Sequence, residues 1–224
     1  PQRLLEAMSA LRRHLAFEIG AEIAVEVDPR TAGAEAIAAL GEMGCTRASL
    51  GVQDFDPRVQ AAVNLHQSYA QTRDCAEALR AAGVGSINLD LIYGLPHQTE
   101  AGVAATVAQA LAINPDRVAV FGYAHVPWMK KHQNLLPAAA LPDAAARFAQ
   151  RAAAEAAILA QGWRAVGLDH YARPDDALAR SAAAGTLRRN FQGYTTDAAP
   201  VLLGIGASSI GALPQGYAQN EAAT

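Results

Sequence analysis

Apolar and β-branched runs alternate with alanine- and leucine-rich runs through the first half of this 224-residue chain. Alternate apolar positions predict four strands, and apolar positions at helical spacing predict a helix beside each of them. The strands are expected over 22–28, 47–53, 86–92 and 117–123, and the helices over 4–19, 34–43, 69–82 and 100–113. Single helices between successive strands favour an α/β fold with a parallel sheet and right-handed crossovers.

The pattern changes after the fourth strand. A long alanine-rich helix is expected over 143–161, and short strands are expected over 165–170 and 201–205. We therefore divide the chain into residues 1–136, which carry the repeated strand–helix pattern, and residues 137–224, a continuation that mixes a helix, short strands and loops. Four strand–helix units are half of a closed eight-fold barrel, which takes about 250 residues.

Composition and charge exclude several classes of function. The net charge is −3, and no run is rich in lysine or arginine, so nothing indicates binding to nucleic acid or to an anionic membrane. No apolar stretch approaches the roughly 20 residues of a membrane span. The opening segment lacks the apolar core of a signal peptide. We expect a cytoplasmic protein without nucleic-acid or membrane partners, and a chain truncated at Pro1.

The two cysteines, Cys45 and Cys75, stand outside any metal-binding pattern. Neither belongs to a Cys-x-x-Cys pair, and no nearby histidine completes the spacing of a zinc site. We expect two buried thiols in a reducing compartment and assign no metal ligand.

One face of the predicted sheet carries polar side chains. In the first three strands the alternate apolar positions form one face, and the opposite face carries Glu26, Gln53 and Asp90. Barrel interiors are normally filled by bulky aliphatic residues. These polar groups, two of them at the carboxyl ends of their strands, therefore suggest a shared polar ligand. The alternative is structural: Glu26 pairs with a basic residue, and Gln53 and Asp90 cap loops.

Three segments carry a resemblance to a known family: Gly51-Val-Gln-Asp-Phe55, Asp90-Leu-Ile-Tyr-Gly-Leu-Pro96, and the stretch 164–196 with Asp169-His-Tyr-Ala-Arg-Pro-Asp-Asp176. With them the chain resembles, almost from end to end, the bacterial oxygen-independent coproporphyrinogen III oxidases. Those are radical S-adenosylmethionine (SAM) enzymes of haem biosynthesis. The resemblance implies a partial (β/α)6 radical SAM barrel, about strands three to six, followed by a mixed α+β extension.

The resemblance also implies a chemistry. A [4Fe-4S] cluster, held by a Cys-x-x-x-Cys-x-x-Cys loop, reduces SAM to a 5′-deoxyadenosyl radical that abstracts hydrogen from the β-carbon of a propionate. Loss of carbon dioxide and one electron leaves a vinyl group, and two rounds convert coproporphyrinogen III into protoporphyrinogen IX. An electron donor and an electron acceptor are implied, and we expect a monomer. No acid or base is required, so no catalytic residue is assigned. The cysteine loop is absent from these residues, and we expect them to be inactive alone.

Six positions match the SAM-binding positions of that family. By resemblance, Glu26 binds the first SAM, and Gln53 and Asp90 bind a second SAM. Ala124 and Ile210 match contacts made through backbone and apolar atoms. The sixth position departs from the family: Val63-Asn64-Leu65-His66-Gln67 stands where the family shows Val-Asn-Arg-x-Gln. Because leucine offers no guanidinium, we expect Leu65 to weaken binding of the second SAM.

Three arginines are candidates for the substrate. The four propionates of coproporphyrinogen require positive charge, and Arg173, Arg188 and Arg189 could supply it; the alternative is that they are solvated surface groups. The main rival function is that of a haem chaperone of the same superfamily, which lacks the oxidase reaction. The segment Arg189-Asn-Phe-Gln-Gly-Tyr194 has no tryptophan after its tyrosine, unlike those relatives, and favours the oxidase.

Overall fold

Four adjacent parallel strands make up one side of the sheet in this computed structural model, which describes residues 1–222. They are β1 (Ala24–Val27), β2 (Arg47–Gln53), β3 (Ser86–Tyr93) and β4 (Arg117–Gly122). Two further strands, β5 (Arg164–Val166) and β6 (His170–Ala172), complete a six-stranded sheet in the order β1-β2-β3-β4-β6-β5. Because β6 runs antiparallel to both β4 and β5, the sheet is mixed.

Helices precede, join and follow the parallel strands, and the sequence predicts all of them except the third. They are α1 (Gln2–His14), α2 (Ala34–Glu42), α3 (Pro57–Ala62), α4 (Tyr69–Ala81), α5 (Glu100–Ala112) and α6 (Ala144–Leu159). Short 3-10 turns lie at Lys131–Leu135 and Ala138–Ala140. Several helices begin at a polar side chain that accepts a backbone N–H, the strongest local start signal. These N-cap residues are Asp56, Ser68, Thr99 and Asp143.

The core lies against one face of the parallel sheet. The alternate side chains of β2 and β3 on that face are almost completely buried, with Leu50, Ile87 and Leu89 at 0% exposure. They belong to one apolar cluster with residues of α2, α4 and α5. The strand parity read from the sequence is therefore confirmed, and the polar side chains of β2 and β3 project from the opposite face.

The first predicted helix is too long. The sequence pattern places it over 4–19, but α1 ends at His14, and Leu15 takes an extended conformation. The segment beyond contains Phe17 and Ile19, whose aromatic and β-branched side chains have low helix propensity, and Gly20, whose φ is +81°. The expected end of the second helix is confirmed: Gly44 follows it with φ +79°, which suits glycine.

The predicted strand over 165–170 is two strands. Gly167, with φ +67°, turns the chain between β5 and β6, so the pair forms a hairpin. The strand expected over 201–205 is also wrong, because that segment contributes a single bridge from Leu202 to Ala212. Glycines at 204 and 206 interrupt the segment, and glycine weakens strands.

The chain forms two units, Pro1–Pro174 and Asp175–Thr224. The second unit holds α7 (Ala177–Ala183) and two antiparallel hairpins. The hairpin strands are β7 (Arg188–Asn190), β8 (Gly193–Thr195), β9 (Ile210–Leu213) and β10 (Gly216–Gln219). The division between residues 1–136 and 137–224, made on the barrel pattern, stays a prediction.

Two expectations from composition concern the core and the membrane. Cys45 and Cys75 are both free thiols buried in the core, as expected. Among the described residues, none of the helices combines the length and the apolar character that crossing a membrane requires.

Candidate functional site

A cavity of about 360 Å³ opens at the carboxyl ends of β1, β2 and β3. In parallel α/β sheets this edge is where ligands bind. Four of the six predicted site residues line it, so the fold brings together positions spread over 65 residues of sequence, from Glu26 to Asp90. The lining residues are Glu26, Val27, Asp28, Arg30, Gly51, Gln53, Leu65, Gln67 and Asp90.

Asp90 is held by two neighbours on the polar face of the sheet. The hydroxyl of Ser49 donates to Asp90 Oδ2 at 2.8 Å, and Asn88 Nδ2 donates to Asp90 Oδ1 at 2.8 Å. Asn88 Nδ2 also donates to Ser49 Oγ at 2.8 Å, which closes a ring of three side chains. Both carboxylate oxygens are thereby fixed, and Asn88 Oδ1, which is buried, has no partner among the described residues.

Glu26 faces the same cavity from β1. Burial, and secondly the charge of Asp90, raise the pKa of the Glu26 carboxyl above its usual value, while the neighbouring Ser49 hydroxyl and the charge of Arg47 act in the other direction. Arg47 itself pairs with Glu22 at 2.7 Å. The structural alternative for Glu26, an ion pair with a basic residue, is therefore disfavoured. A carboxyl in this position is suited to accept from a hydroxyl or an ammonium group.

Gln53 adopts an unusual backbone conformation at the end of β2. Its φ is +66°, in the left-handed region, and the register with β3 shifts between Gly51 and Gln53. Gly51 leaves room for this arrangement, since a Cβ there would lie 3.0 Å from Gln53 Nε2. Strained conformations of this kind persist where the surroundings fix them, and they cluster at functional sites.

The next residue, Asp54, anchors this turn. Its buried carboxylate accepts from the backbone N–H of Asp56 at 2.7 Å, from Thr106 Oγ1 at 2.8 Å and from Gln98 Nε2. Burial raises the pKa of Asp54, and the three donors partly offset that effect. The sequence pattern alone does not predict this role of Asp54. Its position directly after Gln53, at the end of a strand, is the feature that could have indicated it.

Leu65 lies beside the cavity in a segment held by Gln67. The Gln67 side chain donates to the carbonyl of Gly51 at 3.0 Å and to Thr72 Oγ1 at 2.9 Å. Leu65 presents an apolar side chain where the resemblance expects a guanidinium. The cation among the lining residues is Arg30, which forms a two-point ion pair with Asp28 at 2.7 and 3.0 Å.

The two remaining predicted site residues lie elsewhere in the described chain. Ala124 follows β4, and its carbonyl accepts from Gln133 Nε2 at 3.0 Å; it is not among the residues that line this cavity. Ile210 is the first residue of β9 in the second unit, where it pairs with Gln219. Their roles as SAM contacts stay predictions.

The arginines proposed for the substrate differ in their surroundings. Arg173 is engaged inside the first unit: Nε donates to the carbonyl of Pro115 at 2.9 Å, the guanidinium also contacts Asn114, and it lies 5.8 Å from the ring centre of Trp163. Those contacts favour a structural role for Arg173. Arg188 and Arg189 are exposed on β7 of the second unit.

Neither thiol has the character of a metal ligand. Cys45 Sγ donates to the carbonyl of Arg47 at 3.2 Å, and burial raises the pKa of this thiol. Burial raises the pKa of Cys75 to about 11, which disfavours the thiolate that metals bind. In the described part of the chain, moreover, three His, Cys, Asp or Glu side chains are nowhere grouped so as to hold a metal ion.

Strand–helix units with parallel strands and a polar cavity at their carboxyl edge define an α/β fold of the ligand-binding kind. The family model of the Radical SAM superfamily matches residues 2–110. The chain thus carries the radical SAM pattern over these residues, and almost from end to end it is similar to the oxygen-independent coproporphyrinogen III oxidases of that superfamily. The resemblance read from the sequence is thereby confirmed.

The similarity to individual members of that family is high. The chain is 54% identical over 221 residues to the oxygen-independent coproporphyrinogen III oxidase of Bradyrhizobium diazoefficiens, with 99% of this chain and 49% of that protein covered. It is 51% identical over 205 residues to the enzyme of Paracoccus denitrificans, with 92% and 46% covered. The chain thus spans about half the length of the curated relatives it matches.

A solved structure supports the fold. Coproporphyrinogen III oxidase from Escherichia coli, a radical SAM enzyme, matches with a TM-score of 0.95 and 39% identity over 99% of this chain and 51% of that one. The radical SAM fold is therefore established for this chain. For the [4Fe-4S] cluster that the family implies, the described residues do not fit as ligands, because both cysteines are buried, protonated and isolated.

Proposed function

We propose that the complete polypeptide containing these residues catalyses the oxygen-independent oxidative decarboxylation of coproporphyrinogen III to protoporphyrinogen IX. The observation that carries this proposal is the meeting of Glu26, Gln53, Leu65 and Asp90 in one cavity, because these are the positions that match SAM contacts of the family. A match of 54% identity to an enzyme of this name supports it.

In this proposal the chain supplies most of a binding surface for two SAM molecules. Glu26 accepts hydrogen bonds from the ribose hydroxyls or the ammonium group of the first, and Gln53 and Asp90 hold the second. The residues fit such a ligand, because SAM carries an ammonium and a sulfonium charge and the cavity is lined by three carboxylates, of which Asp28 is paired with Arg30, and by two amides. Bound SAM supplies the radical that removes hydrogen from a propionate of the substrate; the protein orients the reactants and excludes water.

The cluster that reduces SAM is bound, we propose, by cysteines outside these 224 residues. The four parallel strands β1 to β4 then correspond to strands three to six of the (β/α)6 barrel. The order β1-β2-β3-β4 and the parallel pairing support this assignment. Residues 137–224 would form the extension, an electron donor and an electron acceptor would serve the reaction, and the enzyme would act as a cytoplasmic monomer.

Arg188 and Arg189 stay candidates for the substrate propionates. Both are exposed, and the guanidinium of Arg189 lies 5.4 Å from the ring centre of Tyr194. Arg173 is the weaker candidate because its guanidinium already has partners within the first unit. Charge reversal of Arg188 or Arg189 is expected to raise the KM for coproporphyrinogen; an unchanged KM would remove that arginine from the substrate site.

The proposed function is tested by anaerobic turnover of the complete polypeptide with its cluster reconstituted. Coproporphyrinogen III, SAM, a reductant for the cluster and a one-electron acceptor for the decarboxylation are supplied, and the tetrapyrrole products are separated and quantified. We expect loss of two carboxyl groups per substrate, and strong reduction of the rate in Glu26→Gln and Asp90→Asn. Stable haem binding by the wild-type protein without turnover would instead establish the rival, a haem chaperone.

A further inference from the structure

Ser49 lies between two of the carboxylates that line the cavity, those of Glu26 and Asp90. In the sheet its Cα is paired with Glu26 of β1 on one side and with Asn88 of β3 on the other. Its side chain is 6% exposed, and Asn88 has the same exposure. The side chains of Glu26, Ser49 and Asn88 share one face because they occupy matched positions of adjacent strands.

The hydroxyl of Ser49 has one proton to share between two acceptors. A serine hydroxyl donates once and accepts through its lone pairs. Here it accepts from Asn88 and donates to Asp90 Oδ2 at 2.8 Å, and the Glu26 side chain is its neighbour on the same face of the sheet, in the matched position of β1. When the Ser49 hydroxyl donates its hydrogen bond to the Asp90 carboxylate, Glu26 faces a lone pair of the Ser49 oxygen and the negative charge of Asp90. Occupation of one carboxylate by a ligand therefore changes what Ser49 offers to the other.

We propose that Ser49 is a positioning residue that couples the two SAM subsites. When an ammonium or hydroxyl group of a ligand donates to Asp90, it replaces the hydrogen bond from Ser49. The Ser49 hydroxyl then rotates and donates to Glu26. Glu26 is then held in the charged form that accepts from the other ligand. Coupling is reciprocal, so a donor on Glu26 strengthens binding at Asp90 by the same factor. This inference rests on the proposed SAM site, with Glu26 and Asp90 in separate subsites.

None of the charged groups that act on Glu26 can donate alternately to Glu26 and Asp90 as the Ser49 hydroxyl can. Asp90 from β3 and Arg47 from β2 are the charges that act on Glu26, and the Arg47 guanidinium is already paired with Glu22. The Asn88 amide fixes the Ser49 oxygen but donates both of its hydrogen bonds within the ring. Ser49 is therefore the hydroxyl that can alternate between the two carboxylates.

A double-mutant cycle in two backgrounds tests the proposal. Total SAM binding to the complete, cluster-reconstituted polypeptide is measured by equilibrium dialysis for wild type, Glu26→Gln, Asp90→Asn and the double variant, with Ser49 and with Ser49→Ala. With Ser49 present, we expect the double variant to lose about fivefold less affinity than the product of the single losses, since one hydrogen bond is worth about 1 kcal/mol. In the Ser49→Ala background we expect the non-additivity to fall to the part that the direct charge interaction between Glu26 and Asp90 leaves.

Two further variants separate coupling from folding. Ser49→Thr keeps the hydroxyl and should retain the coupling. Ser86→Ala removes another buried hydroxyl of the same sheet, one without a hydrogen-bond partner among the described residues, and should leave the coupling unchanged. Equal non-additivity in the Ser49 and Ser49→Ala backgrounds would overturn the inference while leaving the oxidase proposal intact. A wild-type protein that binds no SAM would overturn the proposed function itself.

Discussion

The side-chain amide of Gln67 donates to the backbone carbonyl of Gly51 at 3.0 Å, and this bond fastens the segment after α3 to the end of β2. Gln67 is also bonded through its backbone N–H to Gln60 Oε1 at 3.1 Å. Leu65, two residues earlier, thereby keeps a fixed place on the cavity wall. The amide of Gln67 positions the pocket without needing to touch the ligand.

Replacing Gln67 by leucine should loosen this wall. The change removes two side-chain hydrogen bonds and leaves the Gly51 carbonyl and the Thr72 hydroxyl without their partner, which should lower the free energy of unfolding by about 2 to 3 kcal/mol. Denaturant unfolding of the complete polypeptide measures the loss, and SAM affinity should fall with it. The exposed Gln109→Leu in α5 is the matched control; equal effects of both changes would contradict the anchoring role of Gln67.

Introducing a guanidinium at position 65 should strengthen SAM binding. Leu65→Arg places a cation beside the cavity, and a charge-assisted hydrogen bond to the ligand carboxylate contributes about 1.5 to 3 kcal/mol, so we expect roughly a tenfold or greater gain at the weaker site. Equilibrium dialysis with labelled SAM measures it. Leu65→Met controls for side-chain length. If two SAM molecules already bind the wild type with equal affinity, Leu65 does not weaken the second site.

Replacing Glu26 by glutamine should change how stability depends on pH. Burial, and then the charge of Asp90, raise the pKa of Glu26 above 4.5, so the native state binds more protons than the unfolded state between the two pKa values. Stability is therefore lost as pH rises from the unfolded pKa through the folded one. Without ligand, Glu26→Gln should be the more stable protein at neutral pH, by less than about 1 kcal/mol because water screens this open site.

Thermal unfolding of Glu26→Gln and of the wild type, measured over a range of pH, tests this expected stability difference. The advantage of Glu26→Gln should shrink towards zero as pH falls below 4.5. The exposed Glu77→Gln in α4 controls for the loss of one negative charge. An advantage for Glu26→Gln that does not vary with pH would mean that ionisation is not its cause.

Asp54 should tolerate asparagine poorly, although the two side chains have the same shape. All three partners of the Asp54 carboxylate are donors, and an amide would turn its own N–H groups towards one of them. We expect Asp54→Asn to cost about 2 to 4 kcal/mol of stability and to weaken SAM binding through Gln53. Asp56→Asn is the control, because asparagine caps a helix as well as aspartate does. Comparable losses from both would disprove the anchor.

The sequence predicts most of the sheet because its signals are local. β2 and β3 carry strict apolar alternation, and their predicted bounds differ from the observed ones by at most one residue. α3 escapes prediction because six residues are too few to show a helical period, although Asp56-Pro57 is a typical helix start. The hairpin of β5 and β6 depends on pairing with β4, a distant strand, so the local pattern across its turn at Gly167 resembles a continuous strand.

The candidate site is predicted in part for the same reason. Glu26 and Asp90 stand out because a carboxylate on a strand is unusual in a barrel interior. The ring that joins Ser49, Asn88 and Asp90 depends on the register of β2 against β3, which strand parity alone does not fix. The anchoring bonds of Asp54 and Gln67 cross between elements far apart in sequence, and no local pattern reports them.

The absence of a side chain at Gly51 makes the cavity sensitive to substitution at this position. A methyl group there would lie 3.0 Å from Gln53 Nε2, a close contact that only a shift of that amide could relieve. In a saturation library at this codon, alanine alone should retain partial function, and every larger side chain should compete with the ligand for the same volume. The site would thus be sensitive at a residue that contributes no chemical group, and screens that score only polar side chains would overlook it.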